Sequence, residues 1–402
     1  MFSSDDKDDV IIIAHIGAGY FNEKHADMLK ALVALSLESA QREDIYARKM
    51  ANADPNHAEG NNMDCGVKKK GDSMPNTSSS LEICSGMLLR ASKILEESEL
   101  TNTGYGSSIT DECSVFCDSS VCGYNMETMK RCQNSIIMNS SRLPLRDAVD
   151  GLLYTNKHVT QSENLAITPS IVKIGNIKAD LDLVSPRMKL LYNKYRTHIK
   201  QNRSITSVPN KEDDDQTKTH TIQDTIGVSV ILPNRCALTG ASSGGNMLKP
   251  SGRVGCAGIV GAGAFSTGNS RCTVTVMCSG NGEDIIQMDL ARSVGEYLVD
   301  NVDKVTESPV CELVANHVYE QSKKCDLLAV DDSGNHVLYV GVVGYMEWVE
   351  ETRKSRLFFY FHTTPTMVFG VRSRVDRRTY ERCLFSRVRA NRRDARGEFA
   401  LL

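Results

Sequence analysis

The chain has 402 residues, with 47 Lys and Arg against 50 Asp and Glu, a net charge of −3 and 41% hydrophobic residues. That length allows one large domain or two small ones, and the composition is that of an ordinary globular protein rather than a disordered or fibrous one. The near-balanced charge gives no general case for nucleic-acid or membrane binding, and no apolar run approaches the roughly 20 residues of a membrane-spanning helix.

The opening "MFSSDDKDDV" is acidic, unlike a secretory or transit leader. The 13 cysteines cannot all pair within one chain. Reduced thiols in the nucleus or cytoplasm are therefore the expectation. Cys113, Cys117, Cys122 and Cys132 cluster without zinc-site spacing, so no metal is expected.

"VIIIAHIGAGY" (10–20) reads as a buried strand ending in a glycine turn. Met28, Leu29, Leu32 and Leu35 give residues 26–49 a helical spacing. Residues 51–80 are polar, with Gly, Pro, Asn and Ser throughout, and read as a disordered insertion. Ile83, Met87, Ala91, Ile94 and Leu95 mark an amphipathic helix near 81–97. "TNTGYGSSIT" (101–110) is a glycine-rich loop. The chain turns polar again over 185–223, where 187–203 is basic with helical character and 207–223 reads as a flexible linker.

Beyond the linker the pattern is dense. Thr225–Leu232 alternates as a strand, "ALTGASSGG" (237–245) is a strand and a small-residue turn, and "CTVTVMCSGNGED" (272–284) is a strand and a glycine turn. A helix is expected over 285–299, led by Glu283 and Asp284. Residues 336–348 and 356–364 suggest a hairpin pair after a turn at 331–335. The arginine-dense stretch Arg372–Arg396 reads as a solvated end, with an import signal or nucleic-acid contact as the other reading. Strands clustered among helices suggest layered sheets covered by helices.

Thr225 follows Asp224 at the end of the linker. A threonine hydroxyl is a weak nucleophile without a base. A threonine at a chain terminus supplies its own: an α-amino group with an ordinary pKa near ~8. A flexible segment just before it would expose the bond to be cut. "SSGG" (242–245) offers two hydroxyls beside a turn, and "GRVG" (252–255) a guanidinium suited to a carboxylate. "CSGNGE" (278–283) could turn a hydroxyl and a backbone N–H toward an oxyanion.

Taken in order, "HIGAGY" (15–20), "ELTNTGYGS" (99–107), "CDSS" (117–120), "DTIG" (224–227), "SSGG", "GRVG", "SGNGE" (279–283) and "HTT" (362–364) resemble the threonine aspartases (taspases). These belong to the asparaginase-like N-terminal-nucleophile hydrolases. The resemblance implies an α/β fold, a four-layer αββα sandwich. It implies self-cleavage between Asp224 and Thr225 into an α chain (1–224) and a β chain (225–402) that stay associated, with such units pairing as dimers. Thr225 would be the nucleophile and its amine the base. Ser243 matches the hydroxyl that bonds to that amine, and Ser279 and Gly280 match the oxyanion side. Gly17 matches a turn behind the cleavage site, Asn102 a polar group reaching the substrate, and Arg253 the grip on a substrate carboxylate. Lys24, with His25 beside it, stands for a lysine that follows the "GAGY" turn. No cofactor is implied, and similar enzymes cut nuclear transcription regulators after aspartate.

Relatives that act on free amino acids carry an Asp after "RVG" to hold the substrate's ammonium group. Here that residue is Cys256. The substitution favours a polypeptide, whose corresponding nitrogen is an uncharged amide. The competing readings are a small-molecule amidohydrolase for asparagine, isoaspartyl peptides or glycosylasparagine, and a non-catalytic scaffold.

Overall fold

A computed structural model describes residues 9–41, 79–161, 170–176, 183–200, 225–331, 333–350, 353–375 and 377–401. The linker at 207–223 and Asp224 lie outside these residues, as does the expected insertion up to residue 78. Ser79 and Ser80, placed in that insertion by the sequence, instead open a helix. Ser79 and Glu82 form a reciprocal capping box there.

The strands in chain order are β1 (Val10–Gly19), β2 (Cys117–Asn125), β3 (Lys130–Asn139), β4 (Val172–Ile174), β5 (Ile226–Leu232), β6 (Cys236–Ser243) and β7 (Ala264–Gly268). They continue as β8 (Cys272–Gly280), β9 (Val340–Glu350), β10 (Arg353–His362), β11 (Thr366–Val375), β12 (Arg378–Arg387) and β13 (Ala395–Ala400). The helices are α1 (Ala26–Gln41), α2 (Ser80–Glu96), α3 (Pro144–Gln161), α4 (Pro186–Lys200), α5 (Gly282–Gln287), α6 (Leu290–Asp300) and α7 (Val310–Ser322). Among the described residues, no helix is long and apolar enough to cross a membrane.

Two sheets result. The first runs β12-β11-β1-β5-β6-β2-β3-β4 and the second β13-β10-β9-β8-β7. Alternation along β1 assigns its faces. Val10, Ile12, Ala14 and Ile16 pack with Leu29, Val33 and Leu37 of α1 and Leu88 of α2. Ile11 and Ile13 face the second sheet, packing with Met277, Val343 and Phe358. On the far side of that sheet, Val274 and Val276 meet Leu290 and Val294 of α6 and Val314 of α7. The order helix, sheet, sheet, helix is the four-layer αββα sandwich expected. Each fully buried Ile or Val contributes about 1.5–3 kcal/mol by leaving water.

β1 carries a bulge. His15 pairs with Phe369 and Gly17 with Val368, so Ile16 is an extra residue. Gly17 has φ +119°, a conformation open to glycine. The bulge shifts the alternation, and Ala18 joins the inter-sheet core.

Two expectations need correction. The helix placed at 285–299 is two helices, broken where Asp289 adopts φ +43°. The arginine-dense stretch is largely solvent-exposed, but it is built into strands rather than left as a loose end. It ends β11, forms edge strand β12 and leads into β13, with Val371 and Val375 buried. Charged side chains on edge strands discourage pairing with other chains.

Candidate active site

Thr225 stands at the head of β5, between β1 and β6. It is buried but lines a small pocket with Ser243, Arg253, Cys256 and Gly280. Gly245, Asn246, Gly255 and Gly282 complete the wall. Three strand ends and the loop after β6 therefore converge on one threonine.

The Thr225 N–H donates to Ser279 Oγ at 3.2 Å. The same oxygen accepts the Ala18 N–H at 3.0 Å. The β1 bulge is what brings Ala18 to this position. The hydroxyl facing the Thr225 nitrogen is thus that of Ser279, at the end of β8. Ser243 Oγ, assigned by resemblance to that nitrogen, accepts the Gly245 N–H at 3.0 Å and closes the turn after β6. Both serines stand beside Thr225. Thr225 Oγ1 is 3.9 Å from Cys256 Sγ. Burial pushes the Cys256 thiol up to about 11, so it stays protonated at neutral pH.

Arg253 lies on the pocket wall, paired with Glu283 at 2.7 Å. Asn102 is fully buried and does not line the pocket. Its carbonyl accepts the Gly244 N–H, its Nδ2 donates to the Gly245 carbonyl, and its Oδ1 accepts from Ser108. It ties the 101–110 loop to the turn after β6. Gly17 serves through the bulge, away from the pocket lining. Lys24 is exposed in a short 3-10 turn, and it too is not a pocket-lining residue.

Two groups behind the pocket escaped the sequence reading. Lys249 is buried, with Nζ donating to the carbonyls of Phe116 (2.7 Å) and Gly244 (2.6 Å) and lying 3.6 Å from the Phe116 ring centre. Burial pulls its pKa down to about 8. Asp118 accepts the backbone N–H groups of Gly255 (2.7 Å) and Met138 (2.8 Å). Together they fasten the start of β2 to the loop after β6 that forms the pocket wall. The "CDSS" motif was the only trace of Asp118, and nothing marked Lys249. Among the described residues, no cluster of three or more His, Cys, Asp or Glu is placed to hold a metal.

A threonine at a strand head, a serine on its nitrogen and an arginine across a small pocket form a hydrolase arrangement. A family model described as Asparaginase matches residues 83–355, more than half the chain. The chain belongs to the asparaginase family. Its members are N-terminal-nucleophile hydrolases. The match to this asparaginase family contains every pocket-lining residue, while Gly17 and Lys24 precede it. No curated protein matches the chain.

Proposed function

We propose that this asparaginase-family chain cuts itself between Asp224 and Thr225 and then acts as a threonine endopeptidase that cleaves polypeptides after aspartate. The observation that carries this reading is the pairing of Arg253 with Cys256 around Thr225 in one pocket. The guanidinium suits a side-chain carboxylate. Cys256 is uncharged and touches the nucleophile, so it offers no partner to the ammonium group of a free amino acid.

In self-cleavage, Thr225 Oγ1 attacks the Asp224 carbonyl carbon. The C–N bond breaks as the hydroxyl proton passes to the Thr225 nitrogen. Water then opens the ester, leaving the Asp224 carboxylate and a free Thr225 hydroxyl and amine. On a substrate, that amine takes the Oγ1 proton and Oγ1 forms an acyl ester with the substrate's aspartyl carbonyl. The proton leaves with the departing amine, and water hydrolyses the ester. Gly280, with Ser279 beside it, stands on the side where the oxyanion would form. The α and β chains stay associated and pair into dimers in this reading, needing no cofactor. Nuclear regulators as substrates, and a nuclear or cytoplasmic location, rest on motif resemblance.

The test is a denaturing gel with intact masses for wild type and Thr225→Ala. Wild type should give two fragments meeting at Asp224/Thr225, and the variant a single chain. Wild type should then cut peptides containing internal Asp-Gly. A wild type that remains one chain after long incubation would remove the mechanism. The family description itself favours a second reading, an amidohydrolase for asparagine-type small molecules. Ammonia release from L-asparagine without peptide cleavage would establish that reading instead.

A further inference from the structure

Arg253 reaches the pocket on a long, flexible stem, yet its guanidinium is held in one orientation. Glu283, in the first turn of α5, accepts from Arg253 Nε at 2.8 Å, and the same Oε1 lies 2.7 Å from Nη2 in an ion pair. Glycines enclose the rest of the group. A Cβ on Gly245 would lie 2.6 Å from Nη1, one on Gly255 2.8 Å from Nη1, and one on Gly282 2.8 Å from Nη2. No larger residue fits at these positions without moving the guanidinium. Glu283 covers the Nε/Nη2 edge, so a ligand carboxylate is left with the Nη1/Nη2 edge. Bidentate recognition needs that edge fixed in direction as well as charged.

We propose that Glu283 is a positioning residue that sets specificity, holding one edge of Arg253 so that the other meets the carboxylate of an acyl-side aspartate. This rests on the carboxylate-binding reading of Arg253 given above. Glu283 adds a negative charge near the ligand's own, so its contribution is to orientation rather than to attraction. That distinction can be tested, because a neutral acceptor should serve nearly as well as a charged one.

Glu283→Gln keeps an oxygen in place of Oε1 and removes the charge, whereas Glu283→Ala removes both. Calorimetry on the purified protein would give the affinity for a peptide ending in aspartate and for the same peptide ending in asparagine. Kinetics on a peptide with internal Asp-Gly would give KM and kcat. Glu283→Ala should weaken the Asp-ending peptide about tenfold and leave the Asn-ending one within about threefold. KM should rise in step, with kcat little changed, and Glu283→Gln should restore most of the loss. Equal weakening of both peptides, or a fall confined to kcat, would overturn the positioning role. Tighter Asp-peptide binding in both variants would show Glu283 to be a competing carboxylate instead. A lowered Tm with affinities unchanged would reduce it to a brace for α5. A wild type that does not prefer the Asp-ending peptide would remove the carboxylate reading of Arg253, and this role with it. A wild type that keeps the preference while Glu283→Ala changes nothing would remove this role alone.

Discussion

Glu96 ends α2 wholly buried, and its Oε1 accepts the Leu145 N–H at the start of α3 at 2.8 Å. Oε2 finds no partner in hydrogen-bond geometry; the nearby Ser242 hydroxyl is engaged with Thr103. Burial is the main cause that raises this carboxyl from the ordinary 4.5 to about 8. The folded protein therefore holds a proton that the unfolded chain releases. The sign follows: stability from this group is fullest below pH 4.5 and is lost as pH rises toward 8. At about 1.4 kcal/mol per pH unit, the loss is roughly 2 kcal/mol at pH 6 and roughly 5 kcal/mol at pH 9. Glu96→Gln keeps the acceptor for Leu145 and abolishes the titration. Urea unfolding at the two pH values, in a Thr225→Ala background that stays one chain, measures the difference. The variant should gain about 3 kcal/mol on its parent between pH 6 and pH 9. Parallel loss of stability in the two proteins would refute the buried, protonated carboxyl.

Two further outcomes are expected. Lys249→Met preserves the length of the side chain but leaves the Phe116 and Gly244 carbonyls without their donor. It should cost about 2–4 kcal/mol in urea unfolding, and a cost under about 1 kcal/mol would show that water replaces the ammonium. Cys256→Asp restores a carboxylate beside Thr225, where a free amino acid's ammonium group would need one. Ammonia release from L-asparagine should rise at least about tenfold while cleavage of internal Asp-Gly peptides falls, and an unchanged ratio of the two activities would remove Cys256 as a specificity determinant.

Local pattern announced much of this fold. β5, β6 and β8 were legible as strands; β5 starts at the pocket, and β6 and β8 end there in small-residue turns. α2 was legible from its apolar face. The break at Asp289 was not, because "QMDLAR" holds no glycine or proline; the left-handed turn is imposed where Asp289 packs against Gly261 and pairs with Arg292. The Arg372–Arg396 reading caught the exposure of this stretch but missed its strands, because charge outweighed alternation; charge suits an exposed edge strand, and the buried Val375 was the better guide. Within the site, the residues that touch Thr225 stood in short motifs. Of those that hold the motifs in place, Asp118 and Glu283 stood in motifs without showing their partners, and Lys249 stood in none. Glu283 looked like a helix-start charge, and only folding brings it onto Arg253, 30 residues earlier.

The strand order of the first sheet has a consequence for timing. Reading across it, β12 and β11 lie beyond the cleavage point, β1 before it, β5 and β6 beyond it, and β2, β3 and β4 before it. A cut at Thr225 would part the chain without parting the sheet, because each fragment fills gaps in the other. Neither fragment alone could assemble those eight strands, since the piece from Thr225 onward would lack β1 between β11 and β5. Tagged and untagged fragments should then fail to exchange without unfolding. Such a chain must fold first and sever itself second, making the upstream half a mould that is never discarded and the cut a clock that starts once the sheet is complete.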